Sequence, residues 1–201
     1  MFKGLEKEGE IWHSKFMDIS NFILDKDDSL LLIVDIQERL ASVMKYREQV
    51  AKNVNLLVEL ARMLDIPVVV SEQYPKGLGH TVAEIKETLP VYAPIEKISF
   101  DCCGEQGFVS EIKKRGRNKI IVTGMESHIC VLQSVLGLLG SGYVPHVVSD
   151  AVCSRTKENW KTGIEMMRDT GAVITCTEAA LFQLLKEAGT EEFKAISKLI
   201  K

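Results

Sequence analysis

The chain has 201 residues, with 25 lysine and arginine residues against 28 aspartate and glutamate residues, and a net charge of −3. Its apolar content of 46% and charged content of 26% are ordinary for a globular protein of one domain. This charge balance gives no electrostatic reason to expect nucleic acid or an anionic membrane as a partner. The longest apolar runs are too short to span a bilayer, so neither partner is expected.

The beginning of the chain contains no recognisable targeting pattern. The first ten residues, MFKGLEKEGE, mix charges and lack an apolar signal-peptide core, which predicts a cytoplasmic protein. No strand pattern precedes Ser29. We therefore expect residues 1–28 to form an extension that packs on the domain or on a neighbour, and residues 29–201 to form a single domain.

From Ser29 onward, short apolar runs alternate with helical stripes. The run SLLLIVD and the β-branched run IPVVVSE are typical of strands that are covered on both faces. The predicted strands are 29–35, 66–72, 93–97, 119–124, 143–150 and 172–176. The predicted helices are 46–64, 105–115 (with Phe108, Val109 and Ile112 inward), 127–139, 157–170, 177–187 and 191–200. This alternation predicts an α/β fold with three α/β/α layers around a six-stranded parallel sheet.

Cysteine, histidine and glycine patterns argue against several kinds of site. The five cysteines are odd in number and none forms a Cys-x-x-Cys pair, so neither a disulfide framework nor a zinc site is expected. The four histidines are scattered, and the glycines in GLGHTV lack a dinucleotide fingerprint. We therefore expect no metal and no cofactor. Cys102 and Cys103 are adjacent and could sense redox state, although small residues in a loop are the favoured interpretation.

Polar residues follow two of the predicted strands where chemistry is expected. In an open parallel sheet, ligands bind beyond the carboxyl ends of the strands. Asp35 follows a continuously apolar strand, so its carboxylate should be buried and partnered. Lys97 ends another strand and is a candidate partner. The alternative is that the two form a structural ion pair, or that Asp35 caps the next helix.

Cys130 gives these two residues a chemical context. It lies in GMESHIC, where a strand ends and a helix begins. Free N–H groups, the helix dipole and a nearby lysine are predicted to lower the pKa of its thiol. The same N–H groups can hold an oxyanion, so cysteine, lysine and aspartate together indicate a nucleophilic hydrolase site. Taken alone, Cys130 would be a core residue.

The chain resembles the isochorismatase-like cysteine hydrolases. The resemblance rests on DIQ after strand one, a lysine after the short third strand, and G-x-x-x-x-x-C after strand four. The stretches SEQYPKGLGHTVAEI and KISFDCC are similar to the isochorismatase domain-containing proteins within that superfamily. The resemblance implies that Asp35 is the catalytic acid and base, Lys97 the catalytic lysine and Cys130 the nucleophile.

The resemblance also implies the surroundings of the nucleophile. It places a cis bond between Met125 and Glu126, which would turn the Glu126 N–H toward the oxyanion beside the N–H of Cys130. It further implies a homo-oligomer. The nicotinamidase Asp-x-His metal motif is absent from SEQYPKG, so metal binding and nicotinamidase activity are not expected. Residues expected to line the substrate pocket are Gln37, Tyr74, Phe100 and Ser127.

The predicted function is that of a metal-free cysteine hydrolase acting on a small amide-like molecule. The cysteine favours C–N cleavage, because isochorismatases that cleave vinyl ethers typically lack it. One alternative is an oligomeric interaction protein that retains an idle site. Another is a redox sensor that uses Cys102, Cys103 and Cys130, if residues 99–103 fold over the site.

Overall fold

The computed structural model describes residues 18–200 of the chain. Of the predicted extension, residues 18–28 are described and contain a 3-10 helix at Ile19–Phe22. The rest of the extension lies outside the described residues. The boundary of the extension and its packing therefore stay predictions.

Six parallel strands form the central sheet, in the order β3-β2-β1-β4-β5-β6. All except the short edge strand β3, which reads Ile-Glu-Lys, are rich in β-branched or apolar residues, as expected for strands covered on both faces. The strands are β1 (Ser29–Val34), β2 (Val68–Gln73), β3 (Ile95–Lys97), β4 (Lys119–Met125), β5 (Val144–Cys153) and β6 (Val173–Thr175).

Helices cover both faces of the sheet. The α-helices are α1 (Glu38–Ala41), α2 (Arg47–Met63), α3 (Pro75–Leu78), α4 (Ala83–Lys86), α5 (Gln106–Arg115), α6 (Leu132–Gly140), α7 (Lys157–Asp169), α8 (Thr177–Leu185) and α9 (Glu191–Leu199). Leu31 and Ile33 of β1 pack in the core that includes α2, α8 and α9. Leu30 and Leu32 pack in the core with α5, α6 and α7. The predicted three-layer α/β/α fold is thereby confirmed. No helix within residues 18–200 has the length and apolarity needed to cross a membrane.

Three predicted details were wrong. Strand β5 continues to Cys153 rather than ending at residue 150, since its pairing with β4 shifts register and resumes at Val152. Val109 is 36% exposed and does not join the buried face of α5. The helix expected over 127–139 begins with a π-helical turn at Ser127–Val131 before α6.

The strand order places a topological switch point between β1 and β4. The chain builds outward from β1 through β2 and β3, and then returns to build β4, β5 and β6 on the other side. At this point a crevice forms beyond the carboxyl ends of the strands. Val34, the last residue of β1, pairs with Gly124 of β4. Asp35 and the turn that carries Cys130 therefore follow the ends of two neighbouring strands.

Gly124 makes this close approach of β1 and β4 possible. Its φ is +125°, and a Cβ atom would lie 2.0 Å from the carbonyl oxygen of Val34. We expect Gly124→Ala to lower the free energy of unfolding by roughly 3 kcal/mol or more, from the backbone clash and the unfavourable φ together. Urea denaturation would measure this change.

A matched control is Gly107→Ala in α5, where a Cβ atom would meet nothing within 4 Å. Alanine favours a helix over glycine by about 1 kcal/mol, so this variant should be as stable as the wild type or more so. Equal stability of the two alanine variants would contradict the steric account of Gly124.

Candidate active site

Asp35 stands directly after β1 and is fully buried. Its φ of 50° lies in the left-handed region, which a non-glycine residue seldom adopts. Lys97 Nζ lies 2.7 Å from Oδ2 of the carboxylate. The hydroxyl of Ser71, in β2, donates to Oδ1 at 2.7 Å. Both carboxylate oxygens are therefore held by donors, one from β2 and one from β3.

Lys97 ends β3, and its side chain is 1% exposed. Besides Asp35, its ammonium contacts Gln73 Oε1 at 2.8 Å and the carbonyl oxygens of Ser99 and Phe100 at 3.2 and 3.3 Å. An ammonium has three N–H donors, so these four acceptors engage it completely. Lys97 can therefore act on the site through its charge and by holding residues 99–100 over the sheet edge.

Cys130 lies in the π-helical turn Ser127–Val131, which follows β4. The Met125–Glu126 peptide bond before this turn is cis. The Glu126 carbonyl accepts from the N–H groups of Ile129 and Val131 at 3.0 and 3.2 Å, and the Cys130 N–H between them does not donate to it. Among the bonds of residues 18–200, the Glu126 N–H has no protein acceptor. At least this donor is thus free for a ligand.

The pKa of the Cys130 thiol differs from the prediction. Burial and the negative charge of Asp35 raise this pKa well above its usual range, and the opposing effect of Lys97 is smaller. The expected lowering was wrong, because the helix-dipole argument ignored both the burial of the sulfur, which is 5% exposed, and the adjacent carboxylate. At neutral pH the resting Cys130 is therefore a protonated thiol.

Two contacts fix the turn that carries Cys130. The buried carboxylate of Glu126 accepts from the backbone N–H and from Nε of Arg155, both at 3.1 Å. On the other side α7 approaches closely at Gly163, where a Cβ atom would lie 2.7 Å from the carbonyl oxygen of Ser127. The turn is thereby clamped between the end of β5 and α7.

The four predicted pocket residues occupy different environments. Gln37 is buried, and its amide bonds the backbone of Gln73 and Gly79. Tyr74 and Phe100 are half-exposed, at 50% and 52%. Ser127 is buried and its hydroxyl has no partner among the described residues. Their role in binding a substrate stays a prediction.

Two residues that contact the predicted catalytic groups were missed from the sequence. Ser71 and Gln73 alternate along β2, and both point toward the Asp35–Lys97 pair. The Cys102 thiol lies 3.5 Å from the Ser71 hydroxyl. The polar pattern Ser-x-Gln at the end of a buried strand was the available signal, because alternate strand residues share one face.

Glu72 lies between Ser71 and Gln73 and serves another purpose. Its buried carboxylate accepts from the N–H and hydroxyl of Thr81, at 2.6 and 2.8 Å, and from the hydroxyl of Tyr92 at 2.5 Å. Burial and this carboxylate raise the pKa of Tyr92 to about 12. Glu72 therefore anchors the segment between β2 and β3.

The segment after β3 contacts the site, as the redox alternative required, since the carbonyl oxygens of Ser99 and Phe100 accept from Lys97 and Cys102 lies beside Ser71. However, burial raises the pKa of Cys102 to about 11 and that of Cys103 to about 12. Oxidation by peroxide proceeds through the thiolate, so these protonated thiols disfavour a redox sensor.

Known proteins are similar to this chain in both sequence and fold. The secreted isochorismatase effector Isc1 of Phytophthora sojae is 42% identical over 179 residues, which cover 86% of this chain and 84% of that protein. The MAR1 ribonuclease of Caenorhabditis elegans superimposes with a TM-score of 0.82 at 38% identity, covering 89% of this chain and 92% of the other.

YcaC proteins are also similar in structure. YcaC of Pseudomonas aeruginosa, solved with hexane-2,5-diol and covalent acrylamide, matches with a TM-score of 0.83 at 26% identity, covering 88% and 91% of the two chains. YcaC of Escherichia coli, an octameric hydrolase of unknown specificity, matches with a TM-score of 0.82 over 88% and 90%; at 22% identity, this likeness concerns the fold alone. Residues 29–179 match the isochorismatase domain, and the chain therefore belongs to the isochorismatase family.

Proposed function

We propose that the protein is a hydrolase that cleaves the C–N bond of a small amide-like substrate through a thioester on Cys130. The observation that carries this proposal is the buried Asp35–Lys97 pair, 2.7 Å apart, beside the cysteine turn. A charged base, a protonated thiol and a free backbone donor together match the needs of acyl transfer.

In the first half-reaction, Asp35 accepts the thiol proton as the sulfur attacks the carbonyl carbon. The N–H groups of Glu126 and Cys130 stabilise the resulting oxyanion. Asp35 then gives its proton to the leaving nitrogen, the C–N bond breaks, and an amine and a thioester remain. The raised pKa of the Cys130 thiol suits this order of steps, because the sulfur gives its proton to Asp35 only as it forms the bond to the carbonyl carbon.

In the second half-reaction, Asp35 accepts a proton from water as the water oxygen attacks the thioester. The C–S bond breaks, the sulfur takes the proton from Asp35, and the carboxylic acid leaves. Lys97 keeps Asp35 oriented and ionised in both steps. Because four acceptors occupy its ammonium, we assign Lys97 no direct contact with the substrate.

The similar proteins support the proposed amide hydrolysis to different degrees. Acrylamide is a small amide and an electrophile, and YcaC of Pseudomonas aeruginosa holds it covalently. The Caenorhabditis elegans relative carries the name ribonuclease. For the present chain we favour an amide over RNA, because its net charge is −3 and the lysine at the site is fully engaged. We also propose that the protein is a homo-oligomer and lies in the cytoplasm.

A substrate panel tests the proposal. Purified protein would be incubated with primary amides, N-substituted amides, ureas, carboxylic esters and a short single-stranded RNA, and the products would be followed by mass spectrometry. We expect hydrolysis of at least one amide, which is lost in Cys130→Ala. Cleavage of RNA that persists in Cys130→Ala, without amide hydrolysis, would contradict the proposal.

A further inference from the structure

A chain of three buried polar groups ends on Asp35. The Cys102 sulfur lies 3.5 Å from the Ser71 hydroxyl oxygen, to which its S–H can donate, and that hydroxyl donates to Asp35 Oδ1 at 2.7 Å. All three residues are 0% exposed. The mechanism above gives no role to Ser71 or Cys102.

We propose that Ser71, with its hydroxyl oriented by Cys102, is a positioning residue that keeps the proton shared by Asp35 and Cys130 on the sulfur of the resting protein. This inference rests on the proposed function, since it concerns the same base and nucleophile. It deepens that function by saying which group sets the resting protonation state.

The direction of each hydrogen bond supports this role. Burial, together with the negative charge of Asp35, raises the pKa of Cys102 to about 11, so its sulfur keeps its hydrogen at neutral pH. A Ser71 oxygen that accepts this hydrogen must turn its own hydrogen elsewhere, and Asp35 Oδ1 is the acceptor in reach. A donor to a carboxylate stabilises the ionised form. The proton is thus favoured on Cys130 rather than on Asp35.

The fold holds Cys102 in place by two contacts with α6. The Cys102 N–H donates to the Ser134 hydroxyl at 3.0 Å. One turn further along α6, the carboxylate of Asp101 lies against Gly137, where a Cβ atom would come within 2.6 Å of it. These two contacts with α6 therefore fix the position of Cys102.

The ionisable groups around Asp35 come from three elements. Lys97 reaches it from β3, Cys102 from the segment after β3, and Cys130 from the turn after β4. Lys97 also favours the ionised carboxylate, so Ser71 adds to an existing bias. Replacing Ser71 should therefore shift the proton measurably toward Asp35 while Cys130 remains its favoured site.

The alkylation rate of Cys130 by iodoacetamide tests the proposal without a substrate, if labelled peptides are resolved by mass spectrometry. Between the pKa values of two coupled groups, the fraction of molecules with the proton on Asp35 and a thiolate on Cys130 is constant, which gives a plateau in the rate. Loss of the Ser71 donor should raise this fraction. In Ser71→Ala we expect the plateau to rise about tenfold and to begin about one pH unit higher.

Conservative variants separate this role from a general structural one. Ser71→Thr retains the hydroxyl and should keep the wild-type profile. Cys102→Ala should change the profile in the same direction as Ser71→Ala but less, whereas Cys102→Ser retains a donor and should restore it. A loss of packing alone would speed alkylation at every pH by a similar factor and would not move the pH at which the plateau begins. If Ser71→Ala fails to fold, the two Cys102 variants carry the test.

A slower or unchanged Cys130 plateau in folded Ser71→Ala, or in Cys102→Ala, would overturn the proposal, as would a plateau in Cys102→Ser that is as high as in Cys102→Ala. Asp35→Asn distinguishes this failure from failure of the proposed function. That variant lacks the base, so its profile should lose the plateau and follow a single thiol titration. If Asp35→Asn leaves the profile unchanged, Asp35 is not the proton acceptor of Cys130, and the proposed function itself fails.

Discussion

Replacement of Cys130 by alanine is expected to lower turnover of an amide substrate by at least about 10³-fold. The sulfur forms the covalent bond to the acyl group, and no neighbouring thiol can replace it, since Cys102 points to Ser71. The free energy of unfolding should change by only about 1 kcal/mol, because the substitution removes one small buried atom. Steady-state kinetics and urea denaturation would measure the two effects separately.

The matched control is Cys153→Ala. Cys153 is as buried as Cys130, at 2% against 5% exposure, but it packs in the core on the other face of the sheet. This variant should lose a similar amount of stability and retain its activity. Equal activity of the two variants on one confirmed substrate would exclude a thioester on Cys130.

The second large effect is expected for Lys97→Met. Methionine has a similar length but no charge, so the buried carboxylate of Asp35 loses its ion pair. Removal of one partner from a buried pair costs about 3–5 kcal/mol in the free energy of unfolding. Urea denaturation would measure this loss, and activity should fall with it, because Asp35 is then neither oriented nor held ionised.

The double variant Asp35→Asn/Lys97→Met separates stability from catalysis. It removes both charges, so most of the lost free energy of unfolding should return, while activity should stay absent. Arg47→Met is a control at an exposed ion pair, where Arg47 and Glu84 lie 3.8 Å apart, and it should cost less than about 1 kcal/mol. A stable, active Lys97→Met protein would contradict the account of the pair.

Much of the fold follows from local patterns in the sequence. The continuously apolar SLLLIV predicts β1 within one residue of its observed end, because a parallel strand covered on both faces needs apolar residues at every position. The end of β5 could not be predicted in this way. Ser149 and Asp150 interrupt its apolar pattern, and the strand continues past them only because β4 offers a partner beyond the register shift.

The candidate site was accessible from sequence only in part. Asp35, Lys97 and Cys130 each follow a strand, and strand ends meet at one edge of a parallel sheet. Ser71 was missed although the Ser-x-Gln pattern at the end of β2 offered a signal, because its role depends on the distance to Asp35, which only the folded chain fixes. The pKa of Cys130 was predicted in the wrong direction for the same reason, since burial and a neighbouring charge are properties of the folded chain.

The most direct test of the central claim is the mass of the protein during turnover. Wild-type protein and a confirmed amide substrate would be mixed, quenched in acid within milliseconds to seconds, and analysed by intact-mass and peptide mass spectrometry. The account predicts a mass increase equal to the acyl group of the substrate, located on the peptide that contains Cys130 and removed by hydroxylamine. Turnover with no acyl adduct on that peptide, even when slow substrates are used, together with retained activity in Cys130→Ala, would contradict it.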